Sequence, residues 1–149
     1  MENLKLKMID FTGKSENVVS ERDMIFSFNN GEIKIYLSYE TGELKKIETV
    51  SENEKIEKEI GMEAVLKFKG NSVILDYEYG LYEYVEIEIE DKLEKYWADG
   101  KTVYLKEGKK IFLEVEIWEG YLLFFDDEYR MAGFGIKIGK NKNFEKAEL

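Results

Sequence analysis

Residues 24–39 read MIFSFNNGEIKIYLSY, and this stretch decides the fold class. An apolar run ends at Phe28, and alternating apolar and polar residues follow Gly31. Alternation with a period of two is typical of a β-strand that buries one face. Asn30-Gly31 accepts the positive φ angles of a type I′ turn, so the stretch predicts a β-hairpin.

The same rhythm continues in both directions along the chain. Short alternating runs lie between glycine-containing turns from about Leu4 to Ile138, which predicts an antiparallel meander of about ten strands. Such strands must bury one face and protect their edges, so we expect a barrel or a two-sheet sandwich. The predicted strands are Met24 to Phe28, Ile33 to Tyr39, Leu44 to Val50, Ala64 to Phe68, Val73 to Tyr79, Tyr82 to Glu90, Thr102 to Leu105, Ile111 to Trp118, Tyr121 to Phe125 and Phe134 to Ile138. The predicted inward-facing residues are Ile33, Ile35, Leu37, Tyr39, Val85, Ile87, Ile89, Ile111, Leu113, Val115 and Ile117.

Two segments interrupt this pattern with helix signals. Ser51 and Glu54 have the spacing of a capping box, and isoleucines follow at i and i+4, which predicts a short helix over Glu52 to Gly61. Asp91 and Glu94 repeat the box, and Leu93, Tyr96 and Trp97 have helical spacing before Gly100. A second helix of one or two turns is predicted there. The fold class is therefore all-β with one or two short helices.

Length and composition predict one soluble domain. The 149 residues, 44% apolar and 14% aromatic, suit a single β-rich domain over residues 1–149. No apolar run approaches the roughly 18 residues of a membrane helix, and the first ten residues lack the apolar region of a signal peptide. We expect a cytoplasmic protein without membrane association.

The missing residue types exclude several chemistries. The chain has no His, no Cys and no Pro, so it lacks catalytic triads that use His or Cys, thiolate or imidazole zinc sites, and disulfides. We therefore expect no cofactor, no metal and no enzymatic activity.

Two short motifs have weak chemical signals. Asp126-Asp127-Glu128 lacks the alternating oxygen ligands and glycine of a calcium loop, so it predicts a charged turn. Gly133-Phe134-Gly135 lacks the third glycine of a dinucleotide-binding motif and begins a strand. Glycines in that position predict a β-bulge or a close approach of two backbones.

Acidic residues dominate the charge, and they are concentrated in one region. The formal net charge is -10, and residues 76–99 contain nine acidic residues against two lysines. Glu86, Glu88 and Glu90 alternate with isoleucines, so their carboxylates are expected on one outer face, about 6.5 to 7 Å apart. That spacing is close to two nucleotides of one nucleic-acid strand, at about 3.4 Å each. The row is suited to a cationic groove, and the alternative is a solvated face that aids solubility.

These observations give two main function hypotheses and a weaker third. The first is a non-catalytic acidic inhibitor that binds and neutralises a basic protein acting on nucleic acid, of toxin or nuclease type. Toxin-immunity proteins and phage-encoded inhibitors of defence nucleases share this composition and size, although no motif carries the likeness. The chain itself lacks the basic face of a nucleic-acid-binding protein. Exposed tryptophans would anchor the complex. The candidate protein-binding residues are Glu86, Glu88, Glu90, Asp91, Glu94, Trp97, Glu114, Glu116 and Trp118.

The second hypothesis is a lipocalin-like β-barrel whose lumen holds a small apolar ligand. The ten tyrosines and nine phenylalanines would line or fill such a lumen. A weaker third hypothesis is an oligomer-forming β-module, and the sequence leaves the oligomeric state open.

Overall fold

The computed structural model describes residues 4–12, 23–50, 60–61, 64, 66–77, 86–98, 100–108 and 110–137. These residues form twelve β-strands and contain no helix, which confirms the all-β class. The strands are β1 Leu4–Asp10, β2 Asp23–Phe28, β3 Ile33–Ser38, β4 Leu44–Thr49, β5 Leu66–Lys69, β6 Ser72–Tyr77, β7 Glu86–Glu88, β8 Leu93–Ala98, β9 Lys101–Lys106, β10 Leu113–Ile117, β11 Tyr121–Phe125 and β12 Met131–Lys137.

The strands form three sheets. The six-stranded sheet has the order β5-β10-β11-β12-β9-β8, the four-stranded sheet has the order β4-β3-β2-β7, and β1 pairs with β6. Neighbours that follow one another in the chain are antiparallel, as the meander predicts, but β5 is parallel to β10 and β7 is parallel to β2. The simple meander is therefore incomplete, because strands far apart in the chain also pair.

One main apolar core lies between the six-stranded sheet and the other two. Phe28 of β2 meets Phe134 of β12 edge to face, with ring centroids 5.0 Å apart. Phe26 meets Tyr77 in the same way at 4.9 Å. Both Phe26 and Phe28 are fully buried. The described strands do not close into a barrel, so the sandwich-like arrangement is the one observed.

The predicted inward-facing residues are mostly buried in this core. The fully buried members are Ile33, Ile35, Leu37, Leu113, Val115 and Ile117. Ile87 and Ile89 are half-buried and pack against the core. Tyr39 is also half-buried, Ile111 packs against a second apolar cluster, and Val85 lies outside the described residues.

The hairpin predicted at Asn30-Gly31 is confirmed, with a longer connection than expected. Phe28 pairs with Ile33, so residues 29–32 form the loop. Asn29, Asn30 and Gly31 have φ angles of 52°, 55° and 88°. Asparagine and glycine tolerate this left-handed region better than other residues do. The left-handed turn therefore begins one residue earlier than Asn30.

The helix predicted from Asp91 is wrong. Leu93–Ala98 forms β8, which pairs with β9 along its whole length. Pairing with β9 gives alternate residues of this edge strand backbone hydrogen bonds and overrides the local helix signals. The other predicted helix, over residues 52–61, lies outside the described residues except for Ile60 and Gly61, which are not helical. The described part of the chain contains no helix with the length and apolarity of a membrane span.

The central strands β11 and β12 are buried on both faces. A second apolar cluster covers the face turned away from the main core; it consists of Ala98, Val103, Leu122, Phe124 and Ala132. The pairing of β11 with β12 shifts by one residue beside Gly133. A Cβ atom on Gly133 would lie 2.1 Å from the carbonyl oxygen of Tyr104. The glycines of this strand thus mark a bulge and a close backbone approach, as predicted.

Candidate protein-binding site

The predicted row of carboxylates lies along β7 and the residues that follow it. Glu86, Glu88 and Glu90 are exposed, whereas Ile87 and Ile89 pack against the main core. The alternation of the sequence thus places the three carboxylates on the solvent side of an edge strand.

Most of this acidic segment lines one groove. The groove has a volume of about 710 Å³ and lies between the β2–β3 turn and residues 88–95. Five of its residues are acidic and two are lysines. Groups of one sign that converge on a concave surface raise the local concentration of oppositely charged partners. The charged residues are Glu32, Glu88, Glu90, Asp91, Glu94, Lys92 and Lys95.

Asn29 joins the two walls of the groove. Its Nδ2 donates to the carbonyl oxygen of Leu93 at 2.9 Å, and its Oδ1 accepts from the Leu93 N–H at 2.8 Å. The left-handed backbone of Asn29 presents this side chain to the start of β8. Neither Asn29 nor Glu32 is among the binding residues predicted from the sequence. The polar run Asn29-Asn30-Gly31-Glu32 is the signal that the sequence offers for this wall of the groove.

Lysines offset part of the acidic charge. Lys34 Nζ lies 3.1 Å from Glu86 Oε1, and the hydrogen bond and charge of Glu86 raise the pKa of Lys34. Lys95 pairs with Glu32 and Lys106 pairs with Asp91, each at 3.5 Å. The Lys34–Glu86 pair is 33% and 50% exposed and is worth little in stability, whereas the side chains of Lys95 and Glu32 are only 19% and 21% exposed.

Three carboxylates of the groove have no cationic partner in the part of the chain that the structure describes. Glu88, Glu90 and Glu94 form no ion pair with the other described residues. All three line the groove. They are therefore the strongest candidates for contact with a cationic surface.

Glu114 and Glu116 lie elsewhere, on β10 of the six-stranded sheet. Their side chains are only 14% and 16% exposed and are paired with Lys101 at 4.0 Å and Lys69 at 3.7 Å. They stand opposite Phe124 and Leu122 of the second apolar cluster. This face is thus partly covered instead of forming the open acidic surface that alternation predicts.

The two tryptophans expected to act as exposed anchors lie in different parts of the fold. Trp97 lies on β8, where Glu94 and Trp97 project from opposite faces because they are three residues apart. Trp118 follows β10 in a left-handed turn with φ 49°, so strand alternation does not determine its direction. Its ring is 37% exposed and meets Tyr121 edge to face at 5.9 Å.

Asp126 stabilises a turn, as the charged-turn prediction requires. Its Oδ1 accepts from the N–H groups of Glu128 and Arg130, each at 2.9 Å, and its Oδ2 accepts from Arg130 Nε at 3.0 Å. Arg130 also pairs with Glu128. The carboxylate is 4% exposed. Its oxygens are thus already engaged by donors of this turn.

Calcium is expected to leave the thermal unfolding midpoint unchanged. A cation at Asp126 would have to displace N–H donors and a guanidinium, and no group of three metal-ligating side chains converges among the described residues. Differential scanning calorimetry with added CaCl₂ and with chelator measures this. A saturable rise in the midpoint would contradict this expectation and show that the folded chain binds the ion.

Comparison of the sequence with protein-family models found no match, and comparison with curated proteins found no significant relative.

Proposed function

We propose that this chain is a non-catalytic acidic binding protein that captures and blocks a basic protein acting on nucleic acid. The observation that carries the proposal is the groove of about 710 Å³ in which five carboxylates meet two lysines. A basic side chain or segment that normally contacts phosphates would find carboxylates at comparable spacing there.

Two features of the groove support a binding role. Its walls are fixed to each other by the two hydrogen bonds of Asn29, so a partner meets a preorganised surface and loses less entropy on binding. Its carboxylates at Glu88, Glu90 and Glu94 are not neutralised by ion pairs with other described residues. Complementary charge of this kind accelerates encounter more than it increases the final affinity.

Reversal of three groove charges is expected to slow association with the partner. The variant Glu88→Lys/Glu90→Lys/Glu94→Lys should lower the association rate constant by about tenfold or more, because steering by charge contributes factors of about 10 to 1,000. Salt near 0.5 M should produce a similar loss in the wild type, since the screening length falls to about 4 Å. The partner is first captured from lysate of the source cell at low salt, then purified and measured by stopped-flow fluorescence.

The matched control reverses three exposed carboxylates outside the groove. Glu40→Lys/Glu107→Lys/Asp127→Lys changes the net charge by the same amount, and these residues are exposed and absent from the groove lining. A control variant that loses as much rate as the groove variant would show that net charge, not the groove, attracts the partner. Capture of no basic protein at low salt would overturn the proposal itself.

A further inference from the structure

Two edge strands of this chain have complementary patterns. Strand β5 reads Leu-Lys-Phe-Lys over residues 66–69, and residues 86–89 read Glu-Ile-Glu-Ile. In the described part of the chain, β5 is the outer strand of the six-stranded sheet and β7 is the outer strand of the four-stranded sheet. Each edge therefore offers a row of backbone groups to a further strand.

The side chains of β5 are unusually open for a strand in a folded domain. All four are exposed, and Leu66 and Phe68 each retain 41% of their surface. Phe68 packs edge to face on Phe11, which is itself 56% exposed. An exposed apolar edge of this kind marks a site of association.

The backbone hydrogen bonds show which residues face outward on each edge. The N–H of Leu66 donates to the carbonyl oxygen of Phe112, just before β10, and that of Gly70 donates to Glu116 of β10, at 2.9 Å each. The N–H groups of Lys67 and Lys69 therefore point away from the sheet. On the other edge, the N–H of Ile89 donates to Ser27 of β2 at 2.8 Å. Glu86 and Glu88 therefore have the outward backbone groups.

We propose that β5 of one molecule pairs with β7 of a second copy as antiparallel strands. In an antiparallel pair, two directly opposed residues either both direct their backbone N–H and C=O groups toward the other strand or both direct them away from it. That condition is met when Lys67 lies opposite Glu88 and Lys69 lies opposite Glu86. In a parallel pair, a residue forms its backbone hydrogen bonds with the two residues that flank the one opposite it. A parallel arrangement would therefore place each lysine opposite an isoleucine.

The register also matches the apolar residues. Phe68 then lies opposite Ile87, and Leu66 lies opposite Ile89. Opposed residues share a face of the sheet, so two ion pairs form on one face and two apolar pairs on the other. Lys69 is itself 72% exposed beside Glu116, and Glu86 is itself 50% exposed beside Lys34. Charges this exposed gain little stability from their present ion pairs.

The contact is head to tail, because each molecule has one β5 edge and one β7 edge. Such an interface adds further copies and gives rings or open chains instead of a closed dimer. It also covers Glu88, so a basic partner in the groove and a second copy would compete. Self-association is measured on the purified chain alone, and its failure would leave the proposed partner binding untouched.

The test is analytical ultracentrifugation of the purified protein at rising concentration, near 0.15 M salt, where the screening length is about 8 Å. The wild type is expected to exceed its 17.6 kDa monomer mass progressively. The variants Lys67→Glu/Lys69→Glu and Glu86→Lys/Glu88→Lys should each remain monomeric. An equimolar mixture of the two should associate again, because each supplies the charge that the other edge requires.

The milder variant Lys67→Gln/Lys69→Gln guards against loss of folding, which circular dichroism of every variant also checks. It should associate more weakly than the wild type, with an unchanged spectrum. A wild type that stays monomeric at all concentrations would overturn the proposal. A mixture of folded charge variants that fails to associate would overturn it as well, because the charge register would then be wrong.

Discussion

Replacement of Gly133 by alanine is expected to lower the free energy of unfolding by about 3 kcal/mol. Gly133 lies in β12, at the centre of the six-stranded sheet, beside the shift in pairing with β11. The added Cβ would lie 2.1 Å from the Tyr104 carbonyl oxygen and 3.1 Å from the Leu105 Cα. These are backbone atoms of a paired strand, so one of the two strands must move. Urea denaturation followed by tryptophan fluorescence measures the loss.

Gly135→Ala is the matched control, two residues further along the same strand. Its Cβ would meet side-chain atoms of Leu122 and Phe124 at 3.2 Å, which can yield by a few tenths of an ångström. We expect a loss of about 1 kcal/mol. Equal losses for the two variants would mean that the approach of β12 to the Tyr104 carbonyl costs no more than the side-chain contacts at Gly135, and that this approach does not control stability here.

The hairpins could be predicted from the sequence because their determinants are local. The turn at Asn29 to Gly31 requires positive φ at consecutive residues, and asparagine and glycine supply it without help from the rest of the fold. Alternation then assigns each strand's buried face, as Ile33 and Ile35 show. The parallel pairs β5–β10 and β7–β2 are not readable in this way, since no local turn specifies them.

Strand β8 shows how two valid local signals compete. Asp91 and Glu94 have capping-box spacing, yet only two residues connect β8 to β9, and they are Asp99-Gly100. Asp-Gly in a two-residue connection favours a hairpin. The hairpin prevails because all six residues of β8 then pair with β9, whereas a helix this short is marginal on its own.

The candidate site was predicted only in part, for a related reason. The position of Glu86, Glu88 and Glu90 on one exposed face follows from alternation along one segment. The groove forms only where this segment meets the β2–β3 turn. That meeting depends on a contact between residues 64 positions apart, which no short sequence pattern encodes. Glu114 and Glu116 have the same alternation as the β7 row, but they lie beside a second apolar cluster. Alternation predicts that the two faces of a strand differ in polarity, but it does not predict that the polar face is exposed to solvent.

Asn29→Ala is expected to destabilise the protein by about 2 to 3 kcal/mol and to loosen the connection between the two walls of the groove. Each of the two hydrogen bonds to Leu93 contributes about 1 kcal/mol. Their loss removes the Asn29 partner of the N–H and C=O groups of Leu93, a residue that is only 2% exposed. Alanine also tolerates the left-handed φ of 52° less well than asparagine does. Chemical denaturation measures the stability, and hydrogen exchange at the Leu93 amide reports the local opening.

Asn30→Ala separates the two causes, because Asn30 has nearly the same φ, 55°, and its side chain makes no hydrogen bond to the described residues. It should cost about 1 kcal/mol, the backbone contribution alone, and leave exchange at Leu93 slow. If Asn29→Ala were no worse than Asn30→Ala, the bridge from the turn to β8 would be dispensable.

Without that bridge the groove would lack fixed walls, and a partner would have to order residues 88–95 as it binds. Slower and weaker capture of a basic protein by a folded Asn29→Ala variant is the expected result, because a preorganised acidic surface avoids that cost.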